Sequence, residues 1–453
     1  MAAHADTKPS SPADPADPAG SASPAAQPPS SRPQPRIFLH IGEPKTGTTS
    51  LQQIMWRNRS ELAARGVVLP GHHPQDHFRA SQDLRGIAKL ASDPAGSWTG
   101  EWEILARQAQ QAPKVAVISH ELFSAADPEQ AGRAVRSLLP GEVHVVLTVR
   151  DMATLLPAEW QETVKHRNTR GWEDWLEDVI DRESVSADRR QWWFWRVHDT
   201  LAILDIWSRL VPAERVHVIM TPPHGSDPAL LWRRFASLLD IDPASVDPTR
   251  ARPNASLGMP EIEFLRRLNQ ALPQDVPDWF YMWNVKEAVA HQALAARPRH
   301  TRLVLPADRE AWAKEQAEIL VAGLGGSGYD IVGDLDELLP RPVTDIRPPA
   351  DIRPPAQPVA SPADQPAEQV LDAAVEAAAA LVVNQYHKAY PAARPQRGPG
   401  GQRGLVSRVE STVASSPWLK RTVRDLSSRF AIVRRLRIRA WRSLERRRAG
   451  RHR

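Results

Sequence analysis

The chain has 453 residues, no cysteine and a formal net charge of +5. That length accommodates one large α/β domain with appendages or two domains, and the lack of cysteine excludes disulfides, thiolate metal sites and a cysteine nucleophile. No apolar run approaches the about 18 residues of a membrane span, and the N-terminus lacks the basic-then-apolar order of a secretory signal, so a cytoplasmic location is expected.

Residues 1–35 are rich in Pro, Ala, Ser and Asp, a composition with too little apolar surface to offset chain entropy, and are expected to be disordered. An α/β domain is expected over 36–340. Within it, Ile37 to Ile41, Val115 to Ser119, Val143 to Val149 and Val216 to Met220 are short aliphatic runs of the kind buried on both faces of a sheet. Helical patterns fill the intervals, which predicts a central parallel sheet covered by helices, with the ligand site at the carboxyl ends of the strands. A Pro-rich linker is expected over 341–366, where Asp345 to Ala350 is copied as Asp351 to Ala356. Beyond it, 367–453 reads as an Ala-rich helix to Tyr390 and a basic amphipathic tail over 406–448. Residues 401–453 alone hold 16 Lys plus Arg against 3 acidic residues, so the basicity of the chain belongs to this tail.

Several clusters stand at or near the strand ends. After the first strand comes Gly42-Glu43-Pro44-Lys45-Thr46-Gly47-Thr48-Thr49, and a helical stretch begins at Thr48. Strand, glycine turn and helix start form a cradle of backbone N–H groups for an anion. The nucleoside triphosphatase loop differs, because its lysine directly follows the second glycine, whereas Lys45 precedes Gly47 by two. His72, His73, Asp76 and His77 lie in the following interval without regular metal-ligand spacing, and no metal site is expected. His120 and Glu121 follow the second long strand, Arg150 and Asp151 the third. Residues 189–198, Arg-Arg-Gln-Trp-Trp-Phe-Trp-Arg-Val-His, mix aromatic faces and cations in a way that suits either core packing or an acceptor wall. Arg252, Asn254 and Ser256 offer one cation and two hydrogen-bonding groups in a loop, and Asn254 or Ser256 would equally cap the next helix.

The loop resembles the 5'-phosphosulfate loop of the sulfotransferase superfamily, approximately P-K-[ST]-G-T-[ST]. That resemblance implies the P-loop nucleotide-hydrolase-like three-layer fold and PAPS (3'-phosphoadenosine 5'-phosphosulfate) as sulfuryl donor. It implies that Lys45 stabilises the leaving phosphate and that Pro44, Thr46, Gly47, Thr48 and Thr49 form the cradle. It further implies that Arg150, with Arg252, Asn254 and Ser256, meets the nucleotide's other end, and that the base that deprotonates the acceptor is His120, Glu121 or His77. The serine that superfamily members carry eight residues after the strand-end arginine is here Ala158, with Trp160 and Gln161 as substitutes nearby.

The function this implies is transfer of a sulfuryl group to a hydroxyl or amine of a carbohydrate, lipid or small metabolite, with no metal required. A P-loop phosphotransferase or kinase, and a non-catalytic nucleotide-binding protein recruited by its tail, are the alternatives. The tail's arginines with Trp418, Phe430 and Trp441 suit an anionic membrane surface, and a nucleic acid has the same electrostatic appeal.

Overall fold

A computed structural model of the chain describes residues 33–87, 98–181, 189–250, 256–297, 302–340 and 361–389, with backbone alone at 189–192 and 250. The expected disorder of the N-terminus, most of the Pro-rich linker and the basic tail fall outside the described residues.

Six strands form one sheet: β1 Arg36–Gly42, β2 Val67–Val68, β3 Val115–Ser119, β4 Glu142–Val149, β5 Val216–Met220 and β6 Asp330–Val332. Their order is β2-β3-β1-β4-β5-β6 and every pairing is parallel. The four predicted strands are present. The two short ones carry too few residues to show a pattern and find their places by pairing with β3 and β5.

The aliphatic runs are continuous because both faces are buried. Ile37, Leu39 and Ile41 join one cluster with Leu84, Trp102 and Leu138 from helices Pro74–Leu84, Glu101–Gln110 and Pro128–Leu138. Phe38 points the other way, into a cluster with Leu51 and Ile54 of helix Thr48–Arg57 and Phe235 of helix Leu230–Leu238. This is a three-layer α/β arrangement of the P-loop nucleotide-hydrolase-like kind. The chain after β1 runs to helix Thr48–Arg57 on one face and the chain after β3 to helix Pro128–Leu138 on the other, so a crevice opens between the carboxyl ends of these neighbouring strands.

A further core is made mainly of helices. Trp160 and Val164 of helix Met152–Lys165 pack there with Trp172, Leu265, Tyr281 and Val289. Helix Ala367–Ala389, expected as an appendage beyond the linker, contributes Ala373 and Ala377 to this core. Gln385 and Lys388 near its end both donate to Asn284 Oδ1, at 3.0 and 2.8 Å. Its alanines allow close helix approach, so packing extends past Pro340, the limit expected for the domain. Asn284 belongs to an extended π-helix, Met282–Ala293, a geometry uncommon beyond a single turn and often found near functional sites.

Candidate functional site

The loop between β1 and helix Thr48–Arg57 turns twice through left-handed backbone, at Gly42 (φ 87°) and Gly47 (φ 90°). Gly42 has a second reason to lack a side chain: a Cβ there would stand 2.5 Å from the backbone Cα of Glu121. Lys45 also has φ 61°, a conformation disfavoured for a residue with a Cβ, which is strain held at the tip of the loop. The helix has no side-chain cap and no acidic residue in its first turn, so its leading N–H groups and its dipole remain available to an anion.

The loop is anchored from beneath. Thr46 is fully buried; its hydroxyl donates to the Glu43 carbonyl and bonds the Thr148 hydroxyl, each at 2.6 Å. The Thr46 carbonyl accepts from the Thr221 hydroxyl at 2.8 Å, and the Lys45 carbonyl from Arg150 at 3.1 Å. Thr46 is therefore turned into the sheet, whereas Pro44, Lys45, Gly47, Thr48 and Thr49 line a cavity of about 2430 Å³ that opens along the strand ends.

Lys45 reaches across this cavity and donates to Glu162 at 2.6 Å. Burial acts to lower its pKa, but the charges of Glu162 and Glu159 prevail and it is raised above the ordinary lysine value. Behind Lys45 lies a buried chain of charge. His198, fully buried, sits 3.5 Å from Glu43 and 3.6 Å from Glu159, and Glu43 also accepts from the Thr200 hydroxyl at 2.5 Å. Burial opposes the charged imidazole, yet the two neighbouring carboxylates raise its pKa to about 9. His198 closes the aromatic segment and thereby ties that helix to the loop.

The three candidates for a base separate on geometry. His77 is buried and does not line the cavity; one ring nitrogen meets Pro70 O at 2.8 Å and the other accepts from Ser119 N–H at 3.1 Å. Burial lowers its pKa to about 4, and its contacts serve to join its helix to β3. Its neighbours His72 and His73 lie at a helix start, where their backbone N–H groups donate to Asp76 at 2.7 and 2.9 Å. His120 lines the cavity, but its Nδ1 accepts from the Leu122 N–H at 3.2 Å, which places the proton of the neutral ring on Nε2. Glu121 also lines the cavity; Gln52 donates to its Oε2 at 3.1 Å. Burial acts to raise the Glu121 pKa, and the neighbouring His120, the donated hydrogen bonds and the Lys45 charge together outweigh it, leaving the group a carboxylate.

At the other side of the loop, Arg150 lines the cavity together with Ala158, His224, Ser256 and Arg302. Arg150 and Arg302 are close enough that each depresses the pKa of His224, after the larger effect of burial. Asp151 is engaged as a helix cap, accepting from Thr154 N–H at 2.8 Å. The substitutes suggested for the missing serine have other roles: Trp160 is fully buried in the helical core, and Gln161 accepts from Leu257 N–H at 3.2 Å, holding the chain just after Ser256. Arg252 and Asn254 lie outside the described residues. Arg302 and His224 were not singled out in the sequence; neither follows a strand-end motif, although Arg297, His300 and Arg302 form a basic stretch that hints at an anion.

The far wall is helical. Trp193 lines the cavity with the Arg85 guanidinium 5.0 Å from its ring, whereas Phe194 is nearly buried and Trp195 donates to Val179 O at 3.0 Å. The aromatic segment thus divides between wall and core. Trp279 and Trp283, 49% and 64% exposed, form a rim that the sequence analysis did not single out. Lys165, His166 and Lys286 complete this side around Glu162. Among the described residues no group of side chains has the makings of a metal site, and no helix is long and apolar enough to cross a membrane.

No family model and no curated protein matches the chain. Among solved structures, a sulfotransferase from Alicyclobacillus acidocaldarius is similar over 54% of this chain and 94% of its own, at 17% identity and a TM-score of 0.33. A likeness at that level carries no weight for the reaction, so the function must be argued from the cavity itself.

Proposed function

We propose that the chain transfers a sulfuryl group from PAPS to a hydroxyl or amine of an acceptor held in the helical half of the cavity. The observation that carries this is Lys45: a partly buried ammonium at the tip of an anion cradle, facing into the cavity and placed two residues before Gly47, whereas the magnesium-binding triphosphatase loop has its lysine directly after the second glycine, where Thr48 stands here. The strand-end carboxyl of Asp151, which a kinase reading would need for a metal, is spent on a helix cap.

In this reading the helix start and the loop N–H groups hold the 5'-phosphate, and Lys45 leaves Glu162 to meet the bridging oxygen where negative charge grows. Arg150 and Arg302 supply cationic groups for the 3'-phosphate, with the His224 ring beside them as a hydrogen-bonding group, a role the missing serine would have shared. Arg252, Asn254 and Ser256 remain candidates beside them. Glu121 is the preferred base: it is ionised and in the cavity, whereas the neutral His120 ring presents a donor. The His120 ring would instead hydrogen-bond the acceptor oxygen.

Calorimetric titration of the full chain with PAP is the direct test. The wild type is expected to bind, and Lys45→Ala to bind more weakly by about tenfold or more, the scale of a charge-assisted hydrogen bond. Wild type that fails to bind PAP overturns the proposal.

A further inference from the structure

Three ammonium groups converge on one carboxylate at the helical end of the cavity. Glu162 accepts from Lys45 at 2.6 Å and from Lys286 at 2.8 Å, and Lys165 stands 3.6 Å away. Their positive charge exceeds that of Glu162 by two, and the next acid, Glu159, is already matched to His198. His166 Nε2 lies within hydrogen-bonding distance of both Lys286 Nζ and Glu162 Oε1, and the imidazole adds no countercharge.

Lys165 is the most telling member. Its side chain is 7% exposed, it lines the cavity, and its nearest carboxylate oxygen is beyond hydrogen-bonding distance. Burial, followed by the repulsion of Lys45 and Lys286 against the attraction of Glu162, leaves its pKa below the ordinary lysine value. Taking an ammonium out of water without full compensation is costly. A fold that holds such a group in a cavity wall beside a second ammonium that shares its one carboxylate, on Met152–Lys165 and on the π-helix, is arranged for an anion to complete them.

We infer that Lys165 and Lys286 form an anion subsite for the acceptor, so that the molecule receiving the sulfuryl group already carries a carboxylate, phosphate or sulfate. The inference rests on the sulfuryl-transfer reading only in calling this ligand the acceptor. When Lys45 turns to the donor, Glu162 retains Lys165 and Lys286, and an anion bridging the two ammonium groups restores local neutrality. The anion fixes the acceptor's orientation, with its nucleophilic oxygen or nitrogen directed toward Glu121.

Inorganic sulfate, titrated calorimetrically at constant ionic strength into the full chain saturated with PAP, tests the subsite. Wild type is expected to bind sulfate; Lys165→Gln and Lys286→Gln are each expected to weaken it by about tenfold, while PAP affinity stays within about threefold. Lys286→Arg is expected to retain sulfate binding. Should Lys165→Gln not fold, Lys165→Met, which keeps the buried stem, replaces it. Unchanged sulfate affinity in both lysine variants overturns the inference. Failure of wild type to bind PAP would instead overturn the donor assignment, and sulfate titration of Lys45→Ala protein, its loop disabled, would then decide the subsite by the same lysine substitutions.

Discussion

The cavity has two ends that are built by different means. At the loop end, Lys45 stands on a glycine-hinged turn clamped to the sheet through Thr46, Thr148 and Thr221. At the helical end, Lys165 and Lys286 stand on two helices that meet through side-chain packing and the Lys286–Glu162 pair, without a shared backbone ladder, and are backed by helix Ala367–Ala389. A parallel sheet offers fixed hydrogen-bond register, which suits a group that must meet the same reacting atom each time. Packed helices shift more readily and tolerate a change of side chain, which suits a wall that must fit a particular acceptor.

Substitutions that strike one end alone break or sharpen this comparison. Gly42→Ala is expected to have the largest effect, because it combines a φ of 87° with a clash of backbone against Glu121. A loss of about 3 kcal/mol in urea unfolding, together with loss of PAP binding, is expected. A variant of wild-type stability would mean that the loop end is not rigid.

Ala373→Leu comes next. Ala373 is fully buried where helix Ala367–Ala389 meets the helical core, and overfilling that contact should cost about 1–3 kcal/mol. The loop end is on another core, so PAP affinity measured on the folded variant should stay close to wild type. A parallel loss of PAP binding would show the two ends to be one cooperative unit.

The most gradual effect expected is on pH dependence. The folded-state pKa of His198 is raised to about 9 from 6.5, so its stabilisation is complete below 6.5 and is lost as pH rises through about 9. His40 and His77 are lowered to about 4 by burial, so the unfolded chain takes their protons first and stability falls as pH drops from 6.5 toward 4. His198→Gln should flatten the decline in urea midpoint between pH 7 and 9.5 and leave the acid decline in place. An unaltered alkaline decline would remove His198 as the link between loop and helical wall.

The loop end was legible in the sequence for a local reason. β1, two glycines, Lys45 and a helix start are contiguous, so strand pattern and turn chemistry place the cradle without reference to the rest of the chain. Even there, residue type did not say where single side chains point. The Thr46 hydroxyl, expected in the cradle, bonds Thr148; His77, expected among the candidate bases, meets Pro70 O; Trp160, expected as a substitute for the missing serine, lies in the core.

The helical end was not legible, since its members are distant in sequence and ordinary in type. Glu162 and Lys165 sit on a helix read chiefly for Ala158 and Trp160, and Lys286 on a segment with no motif at all. Periodicity says which face of a helix is apolar, but not which helix comes opposite. What the sequence by itself determined is the parallel sheet and the Lys45 loop, because burial on two faces and the turn demanded by glycine are written in consecutive residues. What only the tertiary structure decided is the partner of Lys45 and the company around Glu162: those ammonium groups meet through packing of helices far apart in the chain, where no local rule specifies the neighbour.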